Sequence, residues 1–272
     1  MKWFKRIIVS SLVALFAIPA LIIFFLSTAD PNDYKHTLEN QFRQLTGKTL
    51  VLGGPFELKI WPQLQLRVSN LSVSDPETFG DLQLIKIGTL HFSIETLPLI
   101  FQNIKMDALF LSDTTINLLK TENGLANWDF ASTGDNSDSS LTGFILGGVD
   151  IQNTQISYSD KETGQKILLT DLNISTGELK LNQPIELKSS LTIKALPQHV
   201  STNMMLAGTL SYDTKDDRCL FTGIKINGAI SSPLLGSKKR NFEISSSGYF
   251  REKEQDLTLE EFQLKGLDTF AK

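Results

Sequence analysis

The chain has 272 residues, of which 41% are hydrophobic and 21% charged, and it carries a net charge of −4. That length is enough to bury a substantial core in one or two domains, and the balanced charge leaves no basic footprint for DNA or RNA. The single cysteine, Cys219, excludes an intramolecular disulfide and any thiolate zinc site.

Lys2, Lys5 and Arg6 precede an uncharged run from Ile7 to Leu26. At about 1.5 Å per residue, a helix over that run spans roughly the 30 Å hydrocarbon core of a bilayer. The positive charge before the run keeps the N-terminus cytoplasmic and sends the remainder across the membrane. Ser27 and Ala29 also suit cleavage of a signal peptide before Asp30, but the run exceeds an ordinary signal core of roughly 7–15 residues, so residues 1–29 are read as an uncleaved anchor.

Asp30 and Pro31 suit an N-cap and first helical position, and Gly47 suits the close of a helix over 31–46. Tyr34, Leu38, Phe42 and Leu45 form one apolar stripe on it. The helix is expected to lie just outside the membrane and cover one end of a β structure. Because acidic and basic residues are balanced around the stripe, packing on the core is preferred to resting on the bilayer.

Beyond Lys48 the period becomes two. Leu64, Leu66 and Val68 alternate, and after a slip at Asn70 the pattern resumes at Leu71 and Val73. Leu90, Phe92 and Ile94 alternate without a break. Leu109 and Leu111 lead across Asp113 to Ile116 and Leu118, and Val149 and Ile151 lead across Asn153 to Ile156. Leu257 and Leu259 lead across Glu260 and Glu261 to Phe262 and Leu264. Each slip is expected to be a β-bulge absorbing one extra residue.

The first three slips are 43 and 40 residues apart, and residues 111–118 read like 151–158. This is either a repeated strand unit of an elongated sheet or chance similarity between amphipathic strands. Further alternation occurs at 172–174, 185–195, 206–212, 224–230 and 242–250, with turn clusters such as Glu122-Asn123-Gly124 and Glu162-Thr163-Gly164 between strands. Leu97-Pro98-Leu99-Ile100 suits a short helix or turn. The polar stretch 131–141 reads as a flexible loop between residues 30–130 and a second β block, 142–272.

Signs of chemistry are sparse. Lys48 and Thr49 follow Gly47, but Phe42 stands where a phosphate-binding loop needs its first glycine. His36, His91 and His199 are isolated, and no serine lies in a nucleophile elbow. No catalytic residue, cofactor or metal site is expected, although acidic residues distant in sequence can meet in space, as in a glycosidase, so an envelope hydrolase stays open. An apolar face formed by Leu64, Leu66, Val68, Leu90, Phe92 and Ile94 needs a cover. No second long helix is available, so the choice lies between a sandwich and a curved trough able to hold a hydrocarbon ligand.

The ordered set Asp30-Pro31-Asn32-Asp33-Tyr34, Leu45-Thr46-Gly47-Lys48, Trp61-Pro62-Gln63-Leu64, Leu71-Ser72-Val73, Phe79-Gly80, Leu97-Pro98-Leu99 and Asn123-Gly124-Leu125-Ala126-Asn127-Trp128 resembles the AsmA-like proteins of the Gram-negative envelope. Residues 257–266 look like the strand unit that recurs later in such proteins. The resemblance implies an inner-membrane anchor through residues 7–26 and a periplasmic body. It also implies a mainly β fold: an elongated, curved, mostly antiparallel open trough with an apolar concave face, related in architecture to bridge-like lipid-transfer proteins.

The implied function is outer-membrane biogenesis by binding or moving phospholipid or another acyl-chain ligand. The alternative is a non-enzymatic adaptor, partnered with other envelope proteins, that affects outer-membrane protein assembly. The groove candidates are Leu64, Leu66, Val68, Leu71, Val73, Leu90, Phe92, Ile94, Leu109, Leu111, Ile116, Leu118, Val149, Ile151 and Ile156. Family members are longer, so a truncated second block, or action with partners, is expected.

Overall fold

The structure is a computed structural model and describes residues 30–59, 63–95, 105–129, 145–180, 182–213, 216–236, 238–251 and 254–266. The expected transmembrane helix, the 97–100 turn and the 131–141 loop lie outside the described residues. Among the described residues no helix is long and apolar enough to cross a membrane.

Asp30 accepts a hydrogen bond from Asn32 N–H at 2.9 Å and caps a 3-10 turn, Pro31–Tyr34. The chain then continues as helix α1, Lys35–Thr46, which ends at Gly47 with φ of 72° and its N–H on the Arg43 carbonyl. Both ends fall where the Asp-Pro pair and the glycine place them.

Fourteen strands among the described residues make one sheet. They are β1 (Thr49–Leu52), β2 (Phe56–Lys59), β3 (Gln63–Ser74), β4 (Gln83–Glu95), β5 (Lys105–Met106), β6 (Leu109–Lys120) and β7 (Ile145–Leu146). The remainder are β8 (Val149–Asp160), β9 (Lys166–Thr176), β10 (Ile185–Leu196), β11 (Val200–Asp213), β12 (Arg218–Ser231), β13 (Arg240–Arg251) and β14 (Asp256–Gly266). The spatial order is β1-β3-β4-β6-β8-β9-β10-β11-β12-β13-β14, an open path with β2 beside β3 and the short β5 and β7 off it.

Pairing is antiparallel except at β6–β8 and β5–β7. The β6–β8 pair is the sequence repeat itself, laid side by side with Leu111 opposite Ile151, Ile116 opposite Ile156 and Leu118 opposite Tyr158. It joins the two halves of the chain into one sheet. Equivalent polar residues bond across it: Asn153 Nδ2 donates to Asp113 Oδ1 at 2.6 Å, and Ser157 Oγ donates to Asn117 Oδ1 at 2.8 Å.

The slips are real, but they are taken up in two ways. Asn70, Asp113 and Asn153 all have left-handed backbone, with φ of 52°, 54° and 52°. Across β3–β4, β4–β6 and β6–β8 the register runs unbroken past them, so no extra residue is absorbed there, contrary to expectation. Strands β3, β6 and β8 turn at the same level instead, and between β3 and β6 the strand β4 places Gly88, whose φ is not left-handed and where an added Cβ would lie 2.7 Å from Asp113 Cβ.

Asx side chains tolerate this conformation better than β-branched ones. From β8 onward the pairing does shift at this level, at 151/154, 190/192, 207/209, 221/224 and 247/248, the last leaving Glu260 unpaired as a bulge. Asn153→Val should therefore be less stable than Asn153→Gly by about 1–2 kcal/mol, the strain of a Cβ-bearing left-handed residue. Urea midpoints measure this, and equal midpoints would contradict it.

Helix α1 covers the first edge of the sheet, as expected, but not through its apolar stripe. Glu39 Oε1 accepts from Leu52 N–H at 2.9 Å, Lys35 Nζ donates to the Gly54 carbonyl at 2.6 Å, and Arg43 donates to Thr49 Oγ1 at 2.9 Å. Asn32 Oδ1 accepts from Phe56 N–H at 3.3 Å. Three of these four bonds, those to Leu52 N–H, the Gly54 carbonyl and Phe56 N–H, occupy backbone groups that an edge strand leaves open. The edge consists of β1 and β2 broken at Gly53 and Gly54, and a Cβ on Gly54 would lie 2.5 Å from the Ser69 carbonyl oxygen. Core packing of the stripe is overturned: Tyr34, Leu38 and Leu45 are 56%, 38% and 62% exposed, and only Phe42 is half-buried.

Candidate apolar binding surface

Directly paired residues on neighbouring strands share a face, so the register shows which apolar side chains meet. Val68 pairs with Leu90, Leu90 with Leu111, Leu111 with Ile151 and Ile151 with Ile174. The row continues through Ser189, Leu206, Ile226 and Ile244 to Leu264. One face thus carries an apolar row from β3 to β14, interrupted only by Ser189.

The other candidates fall into parallel rows. Leu64 opposes Ile94, Leu66 opposes Phe92, and Leu109 opposes Val149. Beyond the line of left-handed residues, Leu71 opposes Ile87, and Val73, Ile85, Ile116 and Ile156 form a second row that continues through Leu169 to Ile193. Val68 and Val73, on either side of Asn70, are both buried, at 3% and 5% exposure. The other groove candidates are half-buried.

No second layer packs on this face among the described residues. Apart from incidental contacts, each strand touches only its hydrogen-bonded neighbours, with α1 against β1 and the 3-10 turn against β2. A concavity of about 480 Å³ spans β8 to β11 and is lined by four residues of the row from Val68 to Leu264, namely Ile151, Ile174, Ser189 and Leu206, together with their neighbours on the opposite alternation, including Asp150, Gln152, Asn173, Lys188 and Met205.

Sequence reasoning missed Ile85 and Ile87 and the continuation from Ile174 to Leu264. Their alternation was visible, but only the pairing order shows that they extend the same row. Thr114 and Thr154, which follow the slips at Asp113 and Asn153, are neighbours across β6 and β8 and are buried with hydroxyls lacking a hydrogen-bond partner.

Polar residues close one end of this surface. Asn127, 1% exposed, accepts from Leu119 N–H at 2.9 Å and donates from Nδ2 to the Asn117 carbonyl at 2.7 Å, which holds the turn after β6 against its own strand. Trp128 in the same turn lies 5.9 Å from the Tyr158 ring. Lys120 Nζ lies 2.8 Å from Glu162 and 3.8 Å from Asp160.

Desolvation pushes the Asp160 carboxyl up, but the N–H groups of Thr163 and Glu162, the Thr163 hydroxyl and the Lys120 charge outweigh it and hold the group below the ordinary aspartate value of 3.8. A lowered folded-state value contributes stability that is present above 3.8 and lost as pH falls through Asp160's own value. Acid should therefore expose the Thr163 amide, and Asp160→Asn should remove that acid limb from its hydrogen-exchange profile. An unchanged acid limb in the variant would contradict this reading.

Among the described residues no three His, Cys, Asp or Glu side chains come together to hold a metal ion. The model of the AsmA family matches residues 1–247. No curated protein matches the chain.

Proposed function

The chain belongs to the AsmA family, and from that premise we propose that it is a non-enzymatic protein of envelope biogenesis that binds phospholipid acyl chains along the apolar rows of its sheet. The single observation that carries this reading is the row from Val68 to Leu264, broken only at Ser189 and without a covering layer among the described residues. Apolar surface of that extent is unfavourable in water, and acyl chains are a chemically matched cover. Left-handed residues on β3, β6 and β8 and the register shifts from β8 to β14 fall at one level, and repeated bulges of that kind favour a curved sheet. In this reading residues 7–26 anchor the chain in the inner membrane, with the N-terminus cytoplasmic and the body in the periplasm.

Native mass spectrometry with lipid extraction, on residues 30–272 expressed alone, tests the proposal. The expected result is stoichiometric phospholipid; a stable, lipid-free protein would overturn it. A second reading, an adaptor for outer-membrane protein assembly, is favoured by one observation. Strand β14 pairs only with β13 among the described residues, and Leu257, Leu259, Phe262 and Leu264 are exposed on it.

A further inference from the structure

The side of α1 that faces the protein is polar, and its apolar stripe faces outward except at the half-buried Phe42. Asn32 in the 3-10 turn and Lys35, Glu39 and Arg43 on α1, spaced by three or four residues, form the face that bonds to β1, β2 and the Gly53–Gly54 link. Those bonds fix the rotation of the helix about its axis. Tyr34, Leu38 and Leu45 sit roughly a third of a turn away, at about 100° per residue, and all are exposed. Gln41 completes their line, and no charged residue falls within it.

We propose that this stripe seats on the surface of a lipid bilayer, so that α1 is an interfacial helix clamped between membrane and sheet. The proposal rests on the membrane-anchored reading and goes beyond it. The uncharged run Ile7–Leu26 ends four residues before Asp30, and the eight residues from Leu26 to Tyr34 reach at most about 28 Å when fully extended. The stripe therefore starts close to where the run leaves the bilayer, and Ser27, Thr28 and Ala29 are too few and too small to cover it.

A stripe this narrow would bind a bilayer weakly on its own. A tether makes the contact intramolecular, and weak contact then suffices. Tyr34 suits the headgroup level, with Leu38 and Leu45 below it. Clamping α1 in this way fixes the tilt of the sheet's first edge against the membrane, which presents the β3 end of the apolar rows to the lipid.

The test uses the full chain with Cys219→Ser, reconstituted in phosphatidylethanolamine and phosphatidylglycerol nanodiscs, with nitroxide labels placed singly through Leu38→Cys, Leu45→Cys or Asn40→Cys. Oxygen and a water-soluble nickel chelate are the relaxation probes. At positions 38 and 45 the ratio of nickel to oxygen accessibility should fall several-fold relative to position 40, which lies off the stripe. Equal ratios at the three positions would overturn the seat alone. Loss of accessibility to both probes at 38 and 45 would mean that protein covers the stripe, and dipolar broadening would identify that protein as a second copy; either result overturns the proposal. A chain that fails to incorporate into the nanodiscs would overturn the anchored reading and the seat together.

Discussion

Leu111→Asp should weaken phospholipid binding by about 30-fold or more while leaving the sheet folded. Leu111 lies mid-row between Leu90 and Ile151 and is half-buried. Losing contact with two or three acyl methylenes, at about 0.8 kcal/mol each, removes about 2 kcal/mol, or roughly 30-fold in affinity. A carboxylate facing hydrocarbon adds to that loss. The same substitution separates an open surface from a closed core. In a closed core, a buried unpaired charge would destabilise the fold by more than about 4 kcal/mol, whereas on an uncovered face the effect should stay near 1 kcal/mol. Lipid titration and urea denaturation of the same variant read both quantities. Gln152→Asp, on the opposite alternation, should leave lipid binding unchanged; its cost to stability is that of replacing the amide's bonds to Asp150, at 3.1 and 3.2 Å, with a second carboxylate. Retained lipid, or global unfolding of Leu111→Asp, would contradict the open apolar face.

Asn127→Ala should lower stability by about 2–4 kcal/mol, the largest loss expected from a single polar side chain here. Its amide satisfies one backbone N–H, of Leu119, and one backbone carbonyl, of Asn117, in a site closed to water. Alanine leaves both groups buried and unpaired, at about 1–3 kcal/mol each before relaxation. The turn that carries Trp128 against Tyr158 should loosen with it. Urea denaturation measures the loss, and a change under about 0.5 kcal/mol would mean that water enters and replaces the amide.

Much of this fold was legible because side-chain period and pairing are coupled in strands. The slips at Asn70, Asp113 and Asn153 fell where the backbone turns left-handed, and the 40-residue likeness of 111–118 and 151–158 became an in-register parallel pair. How each slip is accommodated was not legible. A lone strand with one left-handed residue and a strand with an inserted residue show the same odd offset, and only the partner's register tells them apart.

The orientation of α1 was misread for a related reason. Periodicity finds an apolar stripe but not what faces it, and here Glu39, Lys35 and Arg43 occupy an open sheet edge that sequence alone does not reveal. The candidate rows were found residue by residue within β3, β4, β6 and β8. Their continuation through Ile174, Leu206, Ile226 and Ile244 needed the strand order.

The central claim is that lipid lies on one alternation of the sheet, and site-specific photocrosslinking in cells tests it most directly. A photoreactive phenylalanine analogue is placed singly at Leu111, Ile151 and Ile174 and at Ser112, Gln152 and Ser175, and crosslinked phospholipid is read by mass spectrometry. The expected result is lipid at the first three positions and none at the second three. Lipid confined to the second set would place the ligand on the opposite alternation, and equal or absent labelling at both sets would contradict an apolar lipid-binding face altogether.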